Sequence, residues 1–205
     1  MRWCYMFLIS RYLKCIKNDV AAGQGLLSDA LISSLKVIRT MVGEERSNFF
    51  NRELLGYTDD EASSFEASIK SAKGKRQSIA DFTPAHRMIA GYWVTLTGTD
   101  WQQVPCSLDN RIESIFYSHG VCELEEVLGR VTVSDATWIS VAHDEEENRV
   151  FMSRTSELGK LRDRCSKTFC KHVDMIIKEL RVPRIPSALT LLEMTYGAEA
   201  EKQTT

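Results

Sequence analysis

The sequence predicts a mostly α chain with a small β-sheet. This is an α+β fold, with a helical bundle formed by an N-terminal helix hairpin and a long C-terminal helix. Three observations carry that expectation. Apolar residues recur at three- and four-residue steps over 28–42, 44–55 and 156–181. The period changes to alternation at Arg87. Glycine or proline stands at the breaks, at Gly43, Gly56 and Pro183.

Taken in order, the first helix is amphipathic. Tyr5, Leu8, Ile9, Tyr12, Leu13, Ile16 and Val20 share one face, while Arg11, Lys14 and Lys17 lie largely off it, so the helix docks on its own domain. The apolar run at 3–10 is far shorter than the roughly 20 residues of a membrane span. Gly23-Gln24-Gly25 ends the helix. Leu27, Leu31, Leu35, Ile38 and Val42 form the stripe of a second, with Gly43 where a C-cap glycine belongs. A third helix over 44–55 turns Phe50 and Leu54 inward and stops at Gly56, giving an antiparallel hairpin. Thr58 and Glu61 have capping-box spacing for a short helix to about Ser71. A polar basic loop follows at 73–78, so 58–82 reads as an insertion or mobile arm.

Residues 87–97 alternate as a strand, 98–100 turn, and 101–104 pair back before Pro105. Asp109 or Asn110 caps a helix with Ile112, Ile115 and Phe116 on one side, continued after Gly120 by Leu124 and Leu128. Residues 131–141 are β-rich, and 136–152 fits either a hairpin or a loop around the acidic turn. The strongest helix starts near Thr155, carries Leu158, Leu161, Cys165, Phe169, His172 or Val173, Ile176 and Leu180, and stops before Val182-Pro183. Ser187 caps a last short helix closed by Gly197. One domain over 1–197 is expected, with 198–205 as a frayed tail.

Composition bounds the function classes. The 205 residues are 43% hydrophobic and 26% charged, with net charge -2, so no global field draws the chain to nucleic acid or to an anionic membrane. The six cysteines, Cys4, Cys15, Cys106, Cys122, Cys165 and Cys170, are scattered and read as buried reduced thiols of an intracellular protein.

Motifs with chemistry are few. Cys165, Cys170 and His172 would point around a helix, not toward one ion. His119 and Cys122 stand one turn apart and make the best nucleophile-like pair. Asp144-Glu145-Glu146-Glu147 reads as a solvated turn. No nucleophile elbow, Walker A or HExxH is present. The residues therefore point to no catalytic group, no cofactor and no metal. Lys160, Arg164, Lys167, Lys171 and Lys178 form one basic stripe on the last long helix, with Lys73, Lys75 and Arg76 as further basic residues. That stripe is the solvent face of an amphipathic helix, or a surface for nucleic acid or an acidic protein.

Four segments occur in an order that resembles a known family. They are Asn51-Arg52-Glu53-Leu54-Leu55-Gly56-Tyr57, Pro84-Ala85-His86-Arg87, Gly120-Val121-Cys122-Glu123-Leu124-Glu125 and Leu161-Arg162-Asp163-Arg164. Together they resemble the AbiTii domain of bacterial abortive-infection proteins, over about residues 8 to 181. His86 departs from the pattern, where a tyrosine is expected, and the segment between Tyr57 and Pro84 is longer than usual. The resemblance implies bacterial anti-phage defence. With no catalytic pattern, it implies a cytoplasmic sensor, regulator or effector acting by protein interaction. The partner would be a host defence component or a phage protein, and homo-oligomers are compatible. A nucleic-acid-binding module and a toxin enzyme are the alternatives. The toxin would need His86, Arg87 and Glu125 in one cleft. In the structural reading, Gly56 takes a left-handed helix end, Tyr57 packs over it, and Arg87 pairs with Glu53 or Glu125.

Overall fold

The computed structural model describes residues 2–71, 84–95 and 112–181. The elements are α1 (Arg2–Ala21), α2 (Leu27–Met41), α3 (Glu44–Leu55), α4 (Asp59–Ser71), a 3-10 turn (Ala85–Arg87), β1 (Met88–Thr95), β2 (Glu113–Phe116), α5 (Val121–Arg130), β3 (Trp138–Asp144), β4 (Arg149–Arg154) and α6 (Thr155–Arg181). The fold class is the one the periodicities imply: mostly helix, with one four-stranded antiparallel sheet ordered β2-β1-β4-β3.

The long helix α6 is the organiser. Leu158, Leu161, Cys165, Phe169, Val173, Ile176 and Ile177 are buried, a continuous three/four stripe that the sheet and the other helices cover. Helix α1 lies along it, with Leu13 buried, Ile9, Ile16 and Val20 packed against the core, and Lys17 Nζ bound 2.8 Å from Asp174. The docking seam is narrower than the expected face, because Leu8 and Tyr12 turn outward. The α2–α3 hairpin closes at Gly43, whose φ of 114° suits a residue without Cβ. This hairpin meets α6 through ring contacts: Phe50 packs edge-on against Phe169 and Phe49 stacks on His172 at 3.6 Å.

Several sequence expectations change. Where a helix capped by Asp109 or Asn110 is expected, the described residues Glu113–Phe116 form β2, paired to β1 from Met88↔Phe116 to Gly91↔Glu113. Ile115 and Phe116 are adjacent and both buried, so they show no period that separates strand from helix. Helix begins only after Gly120. β1 starts at Met88, since Arg87 still belongs to the turn before it. Residues 138–154 are a hairpin, with Asp144 and Glu147 gripping Arg149 beside its turn. Part of the expected arm is the docked helix α4. Its capping box forms as read, with Thr58 N donating to Glu61 (3.1 Å) and Glu61 N to Thr58 Oγ1 (3.3 Å). Phe65 then packs on Tyr57 and Phe116, and Glu66 accepts the Phe116 amide at 2.9 Å.

The strand pairing expected at 101–104, the basic residues Lys73, Lys75 and Arg76, the remainder of the arm, Cys106, the helix from Ser187 and the tail 198–205 lie outside the described residues. Cysteine burial holds for Cys165, but Cys15 and Cys122 are exposed thiols. Among the described residues, no helix is long and apolar enough to cross a membrane.

Candidate functional site

The C-terminal end of α3, the turn before β1 and the start of α5 meet at one buried knot. The turn folds because the Arg87 amide donates to Pro84 O at 2.9 Å, which points the Arg87 side chain inward. Arg87 is 0% exposed. Its Nε and Nη2 reach Glu53 Oε2 at 3.1 and 2.8 Å, Nη2 also reaches Glu53 O at 2.9 Å, and Nη1 reaches His119 O at 2.9 Å. Tyr57 Oη donates to Glu53 Oε1 at 2.7 Å, and His86 Nε2 lies 3.1 Å from the same oxygen. A guanidinium without these acceptors would be an uncompensated buried charge, so every bond here is needed.

Electrostatics follow from that geometry. Burial raises the Glu53 carboxyl, but the His86 hydrogen bond and the Arg87 charge outweigh it and hold the group down at about 2. Burial pushes the Tyr57 phenol well up, helped by the Glu53 charge. Burial lifts the Cys165 thiol to about 12 against the pull of Arg87, so it stays protonated. Glu53, His86 and Cys165 present ligand atoms within 4.8 Å of one another. They nonetheless suit an ion poorly: both Glu53 oxygens are engaged, Arg87 stands beside them, and the thiol is no thiolate.

Two glycines make the knot compact. A Cβ on Gly56 would lie 2.5 Å from Ser118 O, and one on Gly120 would lie 2.2 Å from Leu54 O. Gly56 also has φ 94°. The chains therefore touch as a bridge between Gly56 and His119, with Tyr57 N donating to Ser118 O at 2.8 Å.

Above the knot opens a pocket of about 180 Å³ lined by Asp59, Ile115, Phe116, Tyr117, Ser118, His119, Val141, Ala142 and His143. His119 Nδ1 lies 2.8 Å from Glu123 Oε2, one turn into α5.

No family model, curated protein or solved structure matches the chain. What can be said of its chemistry therefore comes from its own residues.

The structure separates the residues singled out from sequence. His86 and Arg87 converge on Glu53, not on Glu125, so the cleft of His86, Arg87 and Glu125 does not form. Glu125 sits at a second joint, accepting Leu27 N (2.7 Å), Ser28 N (3.1 Å) and Ser28 Oγ (2.7 Å) at the start of α2, with Arg162 Nε 3.4 Å away. Asn51 is exposed. The His119–Cys122 pair fails as a dyad, because His119 turns to Glu123 and burial plus the Glu125 charge raise the Cys122 thiol. Cys165, Cys170 and His172 diverge: Cys165 faces the knot, Cys170 Sγ donates to Lys17 O, and His172 stacks on Phe49.

The basic stripe shrinks. Arg164 leaves it, because its guanidinium donates to His86 O (3.0 Å) and Met88 O (2.6 Å). Lys160, Lys167, Lys171 and Lys178 remain exposed, with Lys160 bound to Glu157. The pocket histidines are what sequence reading missed as a set. His119 and His143 have no motif spacing, and only the fold brings them to one cavity.

Proposed function

We propose that the chain is a cytoplasmic component of bacterial anti-phage defence, acting through protein contacts as sensor, regulator or effector. The observation that carries this reading is where the family-like residues meet. Glu53, Gly56, Tyr57, Pro84, Arg87 and Gly120 build the knot, and Glu125 with Arg162 builds the joint at α2. Residues from four distant segments thus serve two joints, which is how a motif set fixed in order specifies one scaffold.

The knot's ionisable groups are neutralised by one another, which favours a structural over a catalytic role. Contact with a partner has an available surface on α1, where Phe7 is 68% and Leu8 59% exposed, beside outward Tyr12.

Phage challenge tests the reading. Cells expressing the chain are expected to plate phage at least about tenfold less efficiently than cells without it. Phe7→Glu with Leu8→Glu should abolish that protection while the purified variant keeps its fold by circular dichroism. Unchanged plating, or purified protein that hydrolyses RNA, DNA or nucleotides in a way one point variant abolishes, overturns it.

A further inference from the structure

We propose that the outer face formed by α1 and α6 binds the phosphate backbone of a nucleic-acid duplex without reading its bases. The fold places the basic residues of α1 beside the lysine row of α6. Lys160, Lys167, Lys171 and Lys178 are exposed, and their spacing keeps them in one line along α6. At 1.5 Å per residue that line is roughly 27 Å long.

Helix α1 runs antiparallel to α6 on one side of this row. Lys17 Nζ binds Asp174 Oδ1 at 2.8 Å and Cys170 Sγ donates to Lys17 O, while Gly25, past the end of α1, meets Arg162 near the start of α6. Asp174 lies three residues after Lys171 and four before Lys178, so both lysines neighbour it on the same helix face. Lys17 therefore stands at the edge of the row. Lys14 and Arg11 precede it at three-residue steps, each turned about 60° further round α1, and both are exposed.

The carboxylates of α6 do little to cancel this charge. Asp174 is held by Lys17, Glu157 by Lys160 and Glu179 by Arg46, which leaves Asp163 as an exposed acid beside the row. Among the described residues, no carboxylate pairs with Arg11, Lys14, Lys167, Lys171 or Lys178. Uncompensated cations are thus gathered on one face of a chain whose net charge is -2.

The residue types choose the partner. Lysine is depleted at the centre of protein interfaces, and the exposed large hydrophobic side chain on α6 is Met175 alone. An interfacial membrane helix inserts its apolar face, which α6 turns to the core. The row carries no aromatic ring on which single-stranded bases could stack. Ammonium groups meet phosphate as point charges and lack the fork by which arginine reads guanine. The guanidinium of Arg164 is turned inward onto His86 O and Met88 O. A duplex carries one charge per about 1.7 Å of its axis, denser than an extended acidic peptide at about 3.3 Å per residue. A straight cationic row suits the denser and stiffer of the two.

Fluorescence anisotropy of the full chain tests this with labelled duplexes of about 24 base pairs, DNA and RNA in separate arms, at about 50 mM salt and above. Binding is expected, with a log–log salt slope between about -3 and -5. Lys167→Glu with Lys171→Glu should weaken it at least about tenfold and make the slope shallower. Lys36→Glu with Arg130→Glu changes net charge equally on α2 and α5, and should alter affinity by less than about threefold. All four substituted side chains are exposed, and melts matching the parent confirm that folding is intact. Either duplex bound in this way supports the face, and the tighter one names its ligand. No binding at about 50 mM salt overturns it. So does a Lys167 and Lys171 variant that binds like the parent, or a control variant that loses as much. Tighter binding to a single strand of the same length, to polyglutamate at equal charge, or to phosphatidylserine vesicles overturns it as well, since each assigns the face to another partner. Anisotropy reads duplex binding and plating reads defence, so either can fail alone.

Discussion

At the residue scale, the two most telling groups are a carboxylate held ionised and an imidazole held neutral. Glu53 titrates at about 2 in the fold instead of the ordinary 4.5. Between those values the unfolded chain carries the proton and the folded chain does not. The stability Glu53 contributes is therefore fully present above about 4.5 and lost as pH falls toward 2. Linkage puts that contribution at about 3 kcal/mol. His172 adds a milder window. Burial lowers it from 6.5 to about 4, so the unfolded chain takes up a proton first and stability declines as pH falls from 6.5 toward 4.

Urea midpoints measured across pH should show both declines in the parent. His172→Gln should flatten the upper one alone. Glu53→Gln should flatten the lower one and, by leaving Arg87 buried without its counter-charge, cost about 3–5 kcal/mol at neutral pH. A Glu53→Gln midpoint equal to the parent at pH 7 would show that the knot is not the fold's electrostatic anchor.

At the element scale, helix α2 is started from outside itself. Its N-cap residue is Leu26, which has no side chain to accept the orphan amides. Glu125 on α5 does so instead, a negative group at the positive end of α2. Arg162 on α6 completes the contact, so one carboxylate ties three helices. Glu125→Ala should cost about 1–2 kcal/mol, in the range of a lost cap. Amide exchange should rise in the first turn of α2 before it rises elsewhere. Uniform acceleration across the chain, with the α2 start no faster than the rest, would argue against a local cap.

The same pair shows what sequence can and cannot reveal. The stripes of α2, α3 and α6 are local periods, so their existence was legible from apolar spacing. The choice of partner for Arg87 was open between Glu53 and Glu125, because both carboxylates stand on helices far away in sequence and only packing decides. β2 was misread because four residues with two adjacent apolar side chains contain no period. The β3–β4 hairpin stayed ambiguous for a related reason: Val141 alone on β3 is buried, so its alternation is faint. The pocket histidines belong to different elements with no shared spacing.

At the scale of the whole molecule, the core is a single cluster that takes residues from α1, α2, α3, α5, α6 and all four strands. Phe169 lies at the centre of its helical side. It is 1% exposed, meets Phe50 edge-on at 5.8 Å, and sits one turn beyond Cys165, which faces the knot. This ring is one of the buried ties between the α2–α3 hairpin and α6, beside the stacked Phe49 and His172 and the exposed pair Arg46–Glu179. Truncation to alanine removes the ring's transfer energy and leaves a cavity that rigid helices on both sides cannot close. Phe169→Ala should cost about 3–5 kcal/mol. Because the ring joins the hairpin to the long helix, the loss should appear in one cooperative transition, with fluorescence and circular dichroism melting together. Val173→Ala, at a site where less volume is removed, should cost less. A cost under about 1 kcal/mol for Phe169→Ala, or a hairpin that melts separately from α6, would mean that the two halves are coupled elsewhere and that the core is not one unit.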